Sequence, residues 1–182
     1  MLSTSRLRRL VKRPGRLIAI ATAVVTGGAL VAVPSVASAA TYNTYYIQNA
    51  ATGQCLEPRN NPASNNIITK VCGSYDSWSF NGNLIADALQ VNCLTLNTVP
   101  GGVSLRMTGC RPQDPEPRRR WAFTNFDGSP TQILSAATGC ALLDSDIPGD
   151  TAFCVRADSG NSHQRWRIVF AGTIEIPDNP TG

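Results

Sequence analysis

Six cysteines are the most reactive side chains in this sequence, and their spacing decides which chemistry they do. They fall in pairs, Cys55 with Cys72, Cys93 with Cys110 and Cys140 with Cys154, and a tryptophan follows each pair: Trp78, Trp121 and Trp166. Every cysteine and every tryptophan belongs to this pattern. A structural zinc site needs a short C-x2-4-C spacing or several histidines. The chain has neither, and its one histidine is His163. Nor is there a Gly-x-Ser-x-Gly elbow or a thiol left over for nucleophilic attack. No enzyme activity, metal or cofactor is expected on these grounds. Disulfide formation remains. Six cysteines can pair in many ways, and pairing within each unit is the scheme that treats the three copies alike. Each bridge then closes a loop of roughly 15–18 residues and constrains the unfolded chain by about 3 kcal/mol.

Two charged segments carry further possibilities. Asp144, Asp146 and Asp150 flank Pro148-Gly149. A polar turn accounts for them, although calcium ligation by oxygen is open, and spacing alone leaves paired carboxylates for glycoside hydrolysis open too. Pro112–Arg120 alternates prolines with acids and ends in Arg118, Arg119 and Arg120. Such a segment is stiff, and the three arginines are candidate contacts for an anionic polymer, with Asp114 and Glu116 neutralising part of their charge.

The first 39 residues do not read as part of the folded unit. Arg6, Arg8, Arg9, Lys12, Arg13 and Arg16 form a basic lead, Leu17–Val33 is apolar, and Ala37-Ser38-Ala39 supplies a small-residue cleavage site. This is the pattern of a secretory leader, with Ala40 the first mature residue. The rival, a retained anchor, is disfavoured by the Thr26-Gly27-Gly28 interruption. The leader holds six of the sixteen basic residues and none of the twelve acids, so the remaining 143 residues are slightly acidic. Global charge therefore gives no reason to expect nucleic acid or an anionic membrane as partner. An even number of cysteines in an exported chain fits an oxidising, extracellular location.

Stepping along the mature chain, extended segments recur in fours. The first copy has Thr41–Ala50, Gln54–Glu57, Asn66–Cys72 and Ser77–Phe80, rich in β-branched and aromatic residues. The second has Leu84–Ala86, Val91–Leu96, Val103–Cys110 and Arg120–Thr124; the third has Gln132–Ser135, Cys140–Asp144, Thr151–Arg156 and Arg165–Phe170. The third copy's Ala136–Cys140 restates Ala50–Cys55 with one residue deleted. Residues 171–182 read as an edge extension and a loose end. Twelve strands in three equal units point to an all-β fold, a β-trefoil of three four-stranded repeats, each with one disulfide, with Trp78, Trp121 and Trp166 in the core.

Cys55-Leu56, Cys93-Leu94, a second cysteine on each third strand and the closing Gln164-Arg165-Trp166 resemble the ricin B-chain-like (R-type) lectin family. From Tyr45 to Phe170, the resemblance implies shallow sugar pockets. Each uses an acid two residues after the first cysteine, an aromatic platform two before the second, and an Asn or His three before the tryptophan. The carboxylate accepts from adjacent sugar hydroxyls, the ring covers the apolar C–H face, and the amide fixes orientation. In the first repeat these positions, with the Gln position, hold Glu57, Lys70, Tyr75 and Asp76; in the second, Thr95, Thr108, Arg118 and Arg119; in the third, Leu142, Ala152, His163 and Gln164, with Asp144 two residues beyond Leu142. The candidate sugar-binding residues are thus Glu57 and Tyr75 in one repeat and Asp144, His163 and Gln164 in another. The implied function is a secreted, monomeric, non-catalytic carbohydrate-binding module. The alternative is a trefoil that has lost sugar binding and engages an extracellular protein through its loops, for instance as a protease inhibitor.

Overall fold

The computed structural model describes residues 40–60, 66–74, 76–99, 102–111 and 116–176. The leader, Tyr75, residues 112–115 of the proline-rich segment and the last six residues of the predicted tail lie outside the described residues. The twelve strands are β1 (Ala40–Asn49), β2 (Cys55–Asn60), β3 (Ile67–Lys70), β4 (Ser77–Asn81), β5 (Leu84–Asp87), β6 (Asn92–Val99), β7 (Gly102–Gly109), β8 (Trp121–Ala122), β9 (Leu134–Ser135), β10 (Ala141–Leu143), β11 (Phe153–Val155) and β12 (Trp166–Ile176). Single 3₁₀ turns at Pro117–Arg119 and Ser162–Gln164 precede β8 and β12.

Six of these strands form a ring. β12 pairs with β1, β1 with β4, β4 with β5 and β8 with β9, while single bridges, Leu84 to Arg120 and Thr131 to Trp166, complete the circuit. The other six form three hairpins, β2–β3, β6–β7 and β10–β11. This is a β-trefoil with the three intra-repeat disulfides expected, Cys55–Cys72, Cys93–Cys110 and Cys140–Cys154. The residues after Phe170 continue β12 to Ile176, paired with the start of β1. A bulge between Thr44 and Tyr45 interrupts that ladder, and opposite it Gly172 adopts a φ of 146°, which a side chain would oppose.

The core repeats with the chain. Trp78, Trp121 and Trp166 are all but fully buried, and each indole N–H finds an acceptor, as a buried Trp requires. The acceptors are the carbonyls of Leu56, Leu94 and Leu142, each at 2.9 Å. Around them pack Ile47, Ile85 and Ile133 from the ring and Ile67 and Leu105 from the hairpins.

These bonds correct one expected equivalence. The third repeat has no deletion, because Cys140 stands where Gln54 stands in the first. The Asn49 N–H donates to the Gln54 carbonyl and the Gly53 N–H to that of Asn49; in the third repeat Ser135 donates to Cys140 and Gly139 to Ser135. Gly53 and Gly139 share the left-handed φ of that turn, 74° and 71°. The third disulfide has therefore moved along the hairpin. In the first two repeats the second cysteine lies beyond its strand, whereas Cys154 lies within β11, opposite Leu142. A disulfide needs only two β-carbons at the right separation, and a hairpin offers several such pairs. Counted from the shared leucines, the acid and platform positions of the third repeat are Leu143 and Val155, not Leu142 and Ala152.

Candidate functional site

The same three positions recur in every repeat: the residue after the shared leucine on the second strand, the third-strand residue paired with the position before that leucine, and the last residue of the turn before the tryptophan. The turn itself is common to all. Asp76, Arg119 and Gln164 donate their backbone N–H three residues back, to Gly73, Glu116 and Asn161, at 3.1, 3.3 and 3.2 Å.

In the first repeat these positions are Glu57, Lys70 and Asp76. The Lys70 ammonium lies 3.2 Å from Glu57 Oε1 and 3.2 Å from Asp76 Oδ1. Asp76 is completely buried, and its Oδ2 accepts the Gly73 N–H at 2.7 Å. Glu57 stands nearer the surface, its side chain 15% exposed, and Arg59 also approaches Oε1, at 3.5 Å. Burial opposes the charge on Lys70, but its bonds to Glu57 and Asp76 outweigh this and hold its pKa above the usual lysine value. A lysine where the resemblance expects an aromatic ring replaces a stacking surface with a cationic donor.

In the second repeat the trio is Thr95, Thr108 and Arg119. The two threonine hydroxyls are 2.7 Å apart, and Arg119 Nε donates to Thr108 Oγ1 at 3.3 Å. Arg118 points outward, with 57% of its side chain exposed and Nε 3.8 Å from Glu116 Oε1. The Arg120 carbonyl accepts the Ala136 N–H at 2.9 Å, and its backbone bridges to Leu84. The three consecutive arginines thus serve different surroundings.

In the third repeat Leu143 and Val155 leave the hairpin positions apolar. Buried Gln164 is saturated by its own repeat: Oε1 accepts from the Asp158 N–H at 2.7 Å and from Gln132 Nε2 at 3.0 Å, while Nε2 donates to the Arg156 carbonyl at 3.0 Å. The Asp144 N–H donates to the His163 carbonyl at 3.2 Å, but the side chains of Asp144, His163 and Gln164 take different partners. Asp144 is buried and faces the first repeat, its Oδ1 accepting the Thr69 hydroxyl at 2.5 Å and its Oδ2 that of Thr52. His163 places Nδ1 2.9 Å from Asp146 Oδ1. Asp144 ties two repeats together, and Gln164 braces the turn that carries the tryptophan.

Thr52 and Thr69 are participants that the sequence does not single out, and Lys70 and Asp76 occupy pocket positions without being candidates there. The opposite charges of Glu57 and Lys70 were one available signal, since a hairpin closed by Cys55–Cys72 sets Lys70 opposite Cys55, a diagonal step from Glu57.

A β-trefoil of three repeats, each with the same trio of positions, defines the class of protein. The ricin-type β-trefoil lectin domain matches residues 43–166, and the chain belongs to that family. No curated protein sequence matches it significantly. Solved structures agree on the fold. The designed three-fold symmetric protein ThreeFoil is 16% identical with a TM-score of 0.56, over 69% of this chain and 97% of its own. The hemolytic lectin CEL-III is 19% identical with a TM-score of 0.56, over 70% of this chain and 32% of its own. The agglutinin from Abrus precatorius is 18% identical with a TM-score of 0.53, over 76% of this chain and 51% of its own. The chain thus spans about a third of CEL-III and half of the agglutinin. Some proteins of this fold are enzymes with further domains, such as the endo-β-galactosidase of Clostridium perfringens, 13% identical with a TM-score of 0.56, over 70% of this chain and 32% of its own.

Proposed function

We propose that the chain is exported, loses residues 1–39, and acts as a secreted, non-catalytic carbohydrate-binding module whose working cleft is in the first repeat. Its folded unit covers 40–170 with the extension of β12, followed by a short tail. The observation that carries the reading is the partly exposed carboxylate of Glu57 at the position where this family places a sugar-binding acid. Arg59 and Lys70 both address Oε1, which leaves Oε2 to accept from a pair of sugar hydroxyls. Tyr75, next to Asp76 in sequence, is the proposed aromatic partner in place of the missing platform. In the third repeat the same reading gives Asp144, His163 and Gln164 supporting roles. Arg118 to Arg120 are proposed as secondary contacts for acidic groups on a polysaccharide, with Arg118 the most available.

Glycan-array binding and polysaccharide pull-down of the secreted protein test this. At least one glycan whose binding Glu57→Gln abolishes supports it; binding to no glycan, or no bound glycan whose retention depends on Glu57, overturns it. The second reading, a trefoil that binds a protein such as a protease, draws on the absence of any carboxylate from the trios of the second and third repeats. Inhibition of a protease panel without glycan binding would favour it.

A further inference from the structure

The ring of strands has an aromatic end that none of the three repeat clefts uses. Tyr45 of β1 packs its ring 5.5 Å from Phe80, 5.6 Å from Phe126 and 5.9 Å from Phe170. Phe80, Phe123 and Phe126 meet one another at 5.2, 4.9 and 5.0 Å, edge to face. The cluster is lopsided. Phe80 and Phe123 each stand two residues after a core tryptophan, but the corresponding residue of the third repeat is Ile168.

Beside this cluster runs an open groove of about 340 Å³. Its apolar lining is Tyr42, Tyr45, Phe80 and Phe126, and its polar lining includes Thr41, Asn43 and Gln90. Among the described residues no charged side chain lines it. Phe126 keeps 46% of its surface exposed although three rings grip it. Its loop is braced: Asp127 Oδ1 accepts the Ser129 N–H at 2.9 Å and the Ser129 hydroxyl at 2.5 Å, and the hydroxyls of Thr124 and Thr131 close the loop's base at 2.6 Å. Among the described residues the side-chain amides of Asn43 and Gln90 have no intramolecular hydrogen-bond partner.

We infer that this groove is a second glycan site, outside the repeats, for a neutral pyranose. The lining selects the ligand. An anion finds no cation here, and a cation finds no carboxylate. A purely aliphatic ligand would bury Asn43, Gln90 and Thr41 without partners, which is unfavourable. A neutral sugar has the complementary character, with an apolar C–H face for Phe126 or Tyr42 and hydroxyls for the two amides. The rings are held before the ligand arrives, so little ordering is lost on binding. The site shares no residue with the Glu57 cleft, and either can exist without the other.

The test is calorimetric titration of the full secreted protein with cellohexaose, xylohexaose and chitohexaose. At least one should bind, Phe126→Ala should weaken it by about tenfold through the loss of stacking and apolar contact, and this Phe126-dependent binding should persist in the Glu57→Gln protein. Asn43→Ala, at an exposed position, should also weaken it; it carries the test if Phe126→Ala lowers the thermal midpoint. Absence of binding to all three sugars, loss of binding with Glu57→Gln, or binding unchanged in both groove variants would overturn the site. A Glu57 cleft that binds other glycans while all three probes fail would leave the proposed function standing and this groove rejected.

Discussion

The first and third repeats share a backbone and differ in what they do with their polar atoms. Both close a hairpin with a disulfide, both end on a turn with its last residue two before a tryptophan, and both indoles donate to a leucine carbonyl at 2.9 Å. In the third repeat Gln164 spends both ends of its amide within its own repeat, and its hairpin positions are leucine and valine. In the first the equivalent trio is a carboxylate, an ammonium and a buried carboxylate, with Glu57 at the surface. Scaffold and polar trio are therefore separable properties of the repeat, and one unit can keep the first without the second.

The largest effect tests whether the scaffold is as equal as its geometry. Trp78→Ala and Trp166→Ala should each destabilise the domain by about 3–5 kcal/mol, since both remove a fully buried indole. Denaturant unfolding should show the two costs agreeing within about 1 kcal/mol, because surroundings modulate such losses. A third-repeat value near zero would mean that its tryptophan is not part of a shared core.

The next effect separates the two repeats' acids. Asp144 accepts from hydroxyls 92 and 75 residues earlier in the chain. Asp144→Ala would strand the Thr69 hydroxyl, which is fully buried, and should cost about 2–3 kcal/mol. Replacing Thr69 with valine in the same protein should recover part of that loss, since removing both partners of a buried bond costs less than removing one. Equal losses in the single and double variants would contradict the pairing.

The strand count, the ring-and-hairpin plan and the disulfides were legible in the residues because they rest on repetition. Register was not. Aligning the copies on their cysteines forces a deletion before Cys140, whereas the spacing Gly53-x-x-Leu56 and Gly139-x-x-Leu142 keeps both turns intact. The glycines answer to a backbone φ and the leucine carbonyls to an indole, so neither can drift, while a disulfide can bridge any suitably close pair. Side-chain roles were least legible. Asp144 looks like a displaced binding acid, two residues beyond the place expected for one, and only the packing of the third repeat on the first reveals Thr52 and Thr69. Lys70 becomes intelligible once β2 and β3 bring Cys55 opposite it.

A smaller effect concerns Lys70 itself. Lys70→Met removes the cation between Glu57 and buried Asp76. Because the lysine side chain is 35% exposed, solvent screens the pair, and a loss of about 1 kcal/mol is expected rather than the larger cost of breaking a fully buried pair. The folded-state pKa of Lys70 is raised, so its stabilisation is fully present below the unfolded lysine value of about 10.4 and fades as the pH climbs through the folded value. The stability difference between wild type and Lys70→Met should accordingly stay flat from pH 6 to roughly pH 10 and shrink above it. A difference that shrinks on acidification through neutrality would assign the effect to another group.

The smallest structural effect is the most informative about function. Glu57→Gln keeps the size and an oxygen acceptor but removes the charge that Arg59 and Lys70 address, both partly or largely exposed. Its cost in stability should lie below about 1 kcal/mol, while glycan binding through the first repeat should disappear, because a neutral amide is a weaker acceptor for two hydroxyls than a carboxylate. The matching change in the third repeat, Gln164→Ala, should do the reverse. It strands the Asp158 N–H and the Arg156 carbonyl and destabilises by about 1–3 kcal/mol, leaving first-repeat binding intact in whatever fraction stays folded. If instead Gln164→Ala abolished binding in folded protein and Glu57→Gln did not, the cleft would belong to the third repeat, and the contrast between the two would have to be read the other way round.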